Sequence, residues 1–370
     1  MPFCYEINPV MRPIFFLALV IPGLIPGLSP GVSHAQAVPR TDTPRGGTLR
    51  VTFDPVVNVW DNEFTAAGKR PIGASLPATV FVHAERRVTP LTLEVGLTSR
   101  VALSVRVPLV RSMIRAGYSP DSTADSANAA LDSLLADTTY AFTPIAHTRR
   151  GLRYFPGDVE VQAKVRLWGG SAALAVVRLP TGHLDSPHDL FDLSSGDHQT
   201  DVELGVIQEV TLLHRLWLNL SVRGTQQRTG MRSRRVAPQN SLLVPIAALS
   251  NLRWDPGDAL ALDVAPMYRV NQHFGAGVTL GYFTKGRDHY SFATPADSVA
   301  LATRLGSARA ASVLDAGTSE RRVRMGVAVT YMGPGVEGGL SFEQTVSGSG
   351  GRIPVTTVLR IVMRTSRWPF

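Results

Sequence analysis

From Asp158 to Leu167 the chain alternates without a break between two kinds of side chain. Val159, Val161, Ala163, Val165 and Leu167 share one side of an extended strand, and Asp158, Glu160, Gln162, Lys164 and Arg166 share the other. A soluble sheet cannot bury such a face, because an unpaired charge taken out of water costs several kcal/mol. A strand between lipid and a hydrated lumen satisfies both faces at once, and this is the signature of a transmembrane β-barrel.

The same alternation recurs along the chain. In Asp201 to Leu212, Val202, Leu204, Val206, Val210 and Leu212 oppose Asp201, Glu203, Gly205 and Glu209. After His214-Arg215 a partner strand sets Leu216, Leu218, Leu220 and Val222 against Asn219, Ser221 and Arg223. Further hairpins are expected at Leu91 to Leu97 with Val101 to Leu109, Leu260 to Val270 with Phe274 to Tyr282, and Val323 to Tyr331 with Val336 to Val346, before a last strand at Val355 to Met363. Gly205, Gly275, Gly277, Gly281, Gly326 and Gly339 fall on the inner face, where small residues let the wall curve. With segments at Thr48 to Asp54, Ala172 and Leu242, thirteen strands are counted, and barrels of this kind have an even number. A weak strand at Ser298 to Leu305 brings the count to fourteen, the favoured figure; dropping the first segment brings it to twelve. The expected fold is therefore all-β, an antiparallel up-and-down transmembrane barrel of 12–14 strands.

Composition excludes the main alternatives. The longest apolar runs beyond the N-terminus, Ala172 to Leu179 and Leu242 to Leu249, are interrupted by Arg178 and Pro245, so no helical span of about 18 residues is available. A formal charge of +8 would raise nucleic acid as a partner. The basic residues, however, sit singly at alternate positions inside apolar runs, so no nucleic acid is expected. The single cysteine, Cys4, lies in a segment expected to be removed, which excludes a disulfide framework.

That segment reads as an export signal. Met11-Arg12 precedes the apolar stretch Pro13 to Leu28 and the small-residue pattern Ser33-His34-Ala35-Gln36-Ala37. Residues 1–37 are read as a signal peptide whose true start is either Met1 or Met11, and 38–370 as the barrel. The expected site is the outer membrane of a diderm bacterium, in contact with outer-membrane lipid and lipopolysaccharide. Trp168, Trp217, Trp254, Tyr282, Phe283 and Tyr331, at strand ends, are expected to form interfacial girdles. The terminal Phe370 resembles the signal read by the barrel assembly machinery. Long external loops are expected at about 112–155, 180–199 and 285–320, with a short helix at Ser126 to Ala136.

Three constellations bear on function. His183, Asp185, His188 and Asp189 offer ligands for a divalent ion, but their spacing matches no metal signature and acidic external loops are common without one; no metal and no cofactor are expected. His289-Tyr290-Ser291 recombines the residues of a His-activated serine at a spacing that carries little information, so no enzyme is expected. The third is the lumen. Glu94, Arg106, Glu160, Lys164, Arg166, Glu203, Glu209, Arg223, Asp263, Arg269, Arg322, Arg324, Glu337, Glu343 and Arg360 are all expected to point inward. Such a lining serves either as a hydrated conduit with tuned selectivity or as an ion-pair network that plugs the barrel.

Short stretches carry a resemblance: Val176-Val177-Arg178-Leu179-Pro180-Thr181-Gly182, Asp189-Leu190-Phe191-Asp192, Gly196-Asp197-His198-Gln199-Thr200-Asp201-Val202-Glu203-Leu204-Gly205, and Asp255-Pro256-Gly257-Asp258 before Ala265-Pro266-Met267-Tyr268-Arg269. In these the chain resembles the outer-membrane proteins grouped with the meta-pathway of phenol degradation. The resemblance implies a barrel related to channels for small hydrophobic or aromatic molecules, and it transfers no catalytic residue. The solute stays unspecified at this point, as does a non-transport, partner-binding barrel.

Overall fold

The computed structural model describes residues 40–75, 80–118, 133, 136–142, 148–150, 154–189, 192–238, 241, 243–333 and 335–369. The export signal, Phe370 and most of the helix expected at 126–136 lie outside them.

The wall begins with β1 (Thr48–Phe53) and β2 (Val56–Trp60), collinear halves of one strand. Pro55 lacks an amide to donate to the ladder, but the register is continuous across the break: Phe53 faces Met363 and Val56 faces Arg360. A small outer ribbon, β3 (Asn62–Thr65) and β4 (Gly68–Pro71), follows. The long hairpin β5 (Val80–Gly96) and β6 (Val101–Tyr118) comes next, then the pieces β7 (Thr148–Arg150), β8 (Phe155–Pro156) and β9 (Val159–Arg166), which share the free edge of β6. β10 (Ser171–Leu179), β11 (Asp201–Leu213) and β12 (Leu216–Gln227) continue the wall. The chain leaves it for β13 (Gly230–Arg235) and β14 (Leu249–Asp255), and returns with β15 (Ala259–Arg269) and β16 (Phe274–Lys285). A second excursion contains β17 (His289–Phe292) and helix α1 (Pro295–Leu305). β18 (Glu320–Gly333), β19 (Val336–Ser349), the short β20 (Ile353–Pro354) and β21 (Thr357–Pro369) complete the chain. β21 pairs with β1 and β2, which pair with β5, so the sheet closes.

Counting interrupted strands once, twelve strands form the ring, not the favoured fourteen. Of the strand expected at Leu242, residues 243–249 are not in the wall: the chain makes a 3-10 turn at Ile246–Ala248 and then β14, in a separate three-stranded sheet with β13 and β17. Ser298 to Leu305 is helical. Thr294 caps α1 reciprocally with Asp297, Pro295 opens it, and Gly306 ends it at φ 67°, a complete set of start and stop signals that outweighs a weak strand pattern. The outer sheet, α1 and the turn at Ala311–Asp315 share a core of Val236, Leu252, Trp254, Tyr290, Leu301, Ala311 and Leu314. The expected loop at 285–320 is thus largely regular structure, and β6 extends through Tyr118, so the first seven residues of the loop expected at 112–155 are strand.

The outward residues form an apolar belt in which Leu93, Leu103, Leu204, Val278, Val327, Leu340 and Ile361 stay exposed. Trp168, Tyr282 and Tyr331 are exposed at strand ends, as a girdle requires. Trp217 and Trp254 are buried, the first inside the barrel and the second in the outer sheet, and Phe283 faces inward beneath Arg322. Trp217 and Phe283 leave the girdle because strand parity, not position at a strand end, decides which face a ring joins, and Trp254 because its strand is not in the wall.

Candidate functional site

Short hairpin turns and both strand termini lie at one end of the ring, and the long excursions lie at the other. The lumen between them has three levels.

At the short-turn end the segment preceding β1 folds into the barrel. Gly47 N donates to Gly96 O (2.9 Å) and Thr43 Oγ1 to Ser99 O (3.2 Å), fixing its base. From there Arg40 and Thr41, 3% and 4% exposed, cross to opposite walls. Arg40 Nη1 meets Glu337 Oε2 on β19 at 2.6 Å, while Thr41 N donates to Glu209 Oε1 on β11 at 3.1 Å. β19 and β11 are separated by four strands one way round the ring and six the other, so this segment spans the lumen. Asp42 bridges Arg40 (3.2 Å), Arg50 (2.7 Å) and Arg364 (3.8 Å). Burial alone would raise the Asp42 carboxyl, but these three guanidinium groups hold it well below the usual carboxylate range. Glu94 extends the cluster to Arg50 (3.2 Å) and Lys164 (2.7 Å). Above it, Leu174, Val176 and Ile207 on one wall and Trp217, Met267 and Ala328 on the other are buried, and Arg269 lies 6.0 Å from the Trp217 ring.

The middle level is a belt of alternating charge. In wall order it runs Arg106 to Glu160 (3.0 Å), Glu160 to Arg178 (3.3 Å), Arg178 to Asp201 (2.8 Å), Glu203 to Arg223 (3.6 Å), Arg223 to Asp263 (3.0 Å), Asp263 to Arg324 (4.0 Å) and Arg324 to Glu343 (3.6 Å). On the next strand Arg360 makes a two-pronged contact to Asp54, beside Pro55. Charges of opposite sign on neighbouring strands stabilise the wall in the way cross-strand pairs do.

The outer level is a cup of about 690 Å³ whose floor is Arg223, Asp263 and Arg324 and whose side includes Arg322, Trp254 and Tyr290. Half of its lining is charged, eight basic and seven acidic residues. The 180–199 loop leans over it. The Asp158 carboxylate accepts from Gly182 N (2.8 Å) and Asp197 N (2.7 Å), closing the loop's neck. Gly182 and Gly196 meet backbone to backbone there, and a Cβ on either would collide with the other's backbone or with Asp158. Removing the clamp by Asp158→Ala strands two amides and is expected to cost about 2 kcal/mol locally. Hydrogen exchange of the loop's neck should quicken about 30-fold while the wall strands stay protected; unchanged exchange would remove the clamp from the account.

Of the sequence-expected lumen set, Glu94, Lys164, Glu209 and Glu337 sit in the inner cluster and Arg106, Glu160, Glu203, Arg223, Asp263, Arg324, Glu343 and Arg360 in the belt. Arg322 joins the cup, where it lies 3.1 Å from Glu320 and 4.4 Å from the Phe283 ring. Arg166, with its backbone bonded to Arg100 O, and Arg269 mark the inner rim. Asp201, on the polar face of its strand, belongs to the same networks, as do Arg40, Asp42, Arg50, Asp54, Arg178 and Arg364, which the sequence does not single out. Arg178 interrupts an apolar run, yet it continues the inward series Ala172, Leu174, Val176.

The loop candidates for a metal are not drawn together. Asp185 meets Arg232 (3.2 Å) and Arg234 (3.9 Å), His183 lies 3.9 Å from Asp192, and among the described residues no three such ligands cluster. His289 faces Asp315 at 3.2 Å in the outer sheet, away from the lumen wall.

No sequence-family model and no curated protein matches the chain, so the resemblance to the phenol-pathway group stands on its short stretches alone. Among solved structures, an outer-membrane channel from Pseudomonas putida F1 aligns with a TM-score of 0.55 at 13% identity, covering 92% of this chain and 100% of that one. The β-domain of the Bordetella autotransporter BrkA gives 0.43 at 12% identity over 86% and 99%, and the CymD monoaromatic hydrocarbon channel 0.38 at 9% over 87% and 89%. The first likeness identifies the architecture: this chain has the closed antiparallel barrel fold that the Pseudomonas channel also has.

Proposed function

We propose that the protein is a passive, gated channel for small molecules, aromatic ones included, in the outer membrane of a diderm bacterium. Barrels there place short turns toward the periplasm and long loops outside, which puts the cup on the external side and the Arg40–Asp42 segment at the periplasmic exit. The observation that carries the reading is this arrangement of an open cup above a lumen crossed by a tethered segment of the same chain. A segment held by side-chain contacts and a backbone bond at its base can leave without unravelling the ladder, so its presence fits a gate. The second reading, a structural barrel that never conducts, is favoured by the same ion pairs if they never open.

A reversible lock separates the two. Cysteines introduced by Thr43→Cys and Ser99→Cys stand at neighbouring positions, since the Thr43 hydroxyl already reaches the Ser99 backbone carbonyl. Under the channel reading, proteoliposomes holding the oxidised variant stay impermeable to small sugars, and a reductant restores swelling to the rate of the unmodified chain. If unmodified, oxidised and reduced proteins are all equally impermeable, the structural reading replaces it.

A further inference from the structure

The cup has a chemistry of its own. Two guanidinium groups in its wall lie over aromatic rings, Arg232 at 4.0 Å from the Trp254 centroid and Arg322 at 4.4 Å from that of Phe283. Lys285 also approaches Trp254, at 5.9 Å. The aromatic faces are therefore already covered by cations, which leaves no cage for a cationic solute. An uncharged apolar solute gains nothing from a wall that is half charged.

Three carboxylates of the wall are well engaged, whereas basic groups there share partners. Asp263 serves Arg223 and Arg324, Asp288 accepts from Trp254 Nε1 (3.0 Å) and Gly257 N (3.1 Å) and meets Lys285 (2.7 Å), and Asp192 accepts from Ser186 N (2.9 Å). By contrast Arg232 and Arg234 share one carboxylate, Asp185. Burial pushes Arg232 below its ordinary value, Arg234 adds to that push, and Asp185 opposes it. Nε of Arg322 meets no hydrogen-bond partner among the described residues. A guanidinium whose carbon is covered by a ring still offers several N–H donors in one plane, a set that can grip a carboxylate through two parallel hydrogen bonds.

We infer that the cup is a binding site for small organic carboxylates, gripped by Arg322 with Arg234 and Arg232 on the facing sheet. This names a solute class for the channel proposed above and rests on that reading for its biological meaning, though not for its test. The test is calorimetric titration of the folded chain in detergent with benzoate and with benzamide, which has the same shape without the charge. Benzoate is expected to bind saturably and benzamide at least about tenfold more weakly. Arg322→Gln, and separately Arg234→Gln, whose side chain is not needed for a buried contact, should each weaken benzoate by about 10- to 100-fold, the usual effect of losing a hydrogen bond to a charge. Heat-modifiable gel mobility verifies that each variant is folded. Equal affinity for the two probes, unchanged binding in both variants, or no binding at all overturns the inference. Because the titration needs no transport, these outcomes leave the gate itself untouched, and failure of the swelling experiment leaves the binding site standing.

Discussion

Asp42→Asn is expected to turn a barrel that opens rarely into one with steady conductance steps in a planar bilayer at neutral pH. The carboxylate stands among three guanidinium groups, and removing one partner of a buried ion network typically costs about 3–5 kcal/mol, because the charges left behind stay desolvated. If that cost falls on the closed arrangement alone, the closed-to-open ratio drops by more than about 100-fold. The pH sign follows from the same contact. Asp42 is held below its usual range in the closed state, so its contribution to closure is complete above the ordinary carboxylate value and is lost only as pH falls through the depressed one. The wild type should thus keep the Asp42 contribution at mildly acidic pH, while the Asn variant lacks it throughout. Deleting residues 40–46 should give the same steps without any residual closure. Should the deletion insert, fold and still never conduct, the gate is elsewhere, in the apolar side chains between the inner cluster and the belt.

The second large effect is on stability. Asp54→Ala removes the two-pronged partner of Arg360 at the place where Pro55 and Pro90 already thin the ladder. Arg360 keeps 31% of its side chain accessible, so the loss should fall below that of a fully buried pair, at ~2–3 kcal/mol. A lowered urea midpoint in lipid vesicles, with an unchanged slope, is the measurement. Replacing both residues, as Asp54→Ala with Arg360→Met, should recover much of the loss because no orphaned charge is left in the wall. Additive losses in the double variant would show that the two side chains act separately.

How much of this was legible beforehand follows from the kind of signal involved. The alternation in Asp158 to Leu167 and its repeats located eleven of the wall strands by position and, with Thr48 to Asp54, the twelfth. The thirteenth segment counted, at Leu242, is apolar because it approaches the core of an external sheet, and a short apolar run reads alike in both settings. The helix at Pro295–Leu305 is marked by Thr294, Pro295, Asp297 and Gly306, capping signals that outweigh the weak strand pattern of Ser298 to Leu305.

Side-chain parity is a property of the extended backbone, so the sequence by itself determined that the wall is β, that its outer face is apolar and which charges turn inward. It did not determine what those charges meet. Arg40 and Glu337 are 297 positions apart, and Asp54 and Arg360 are 306 apart; each pair exists because the ring closes in one register. Closure and register are properties of the whole sheet. No local pattern records that the segment preceding β1 folds back into the lumen, or that a loop neck at Gly182 and Gly196 closes on Asp158. Those contacts, and with them the gate and the cup, were decided by tertiary structure alone, because they join residues whose only common property is the place the closed barrel gives them.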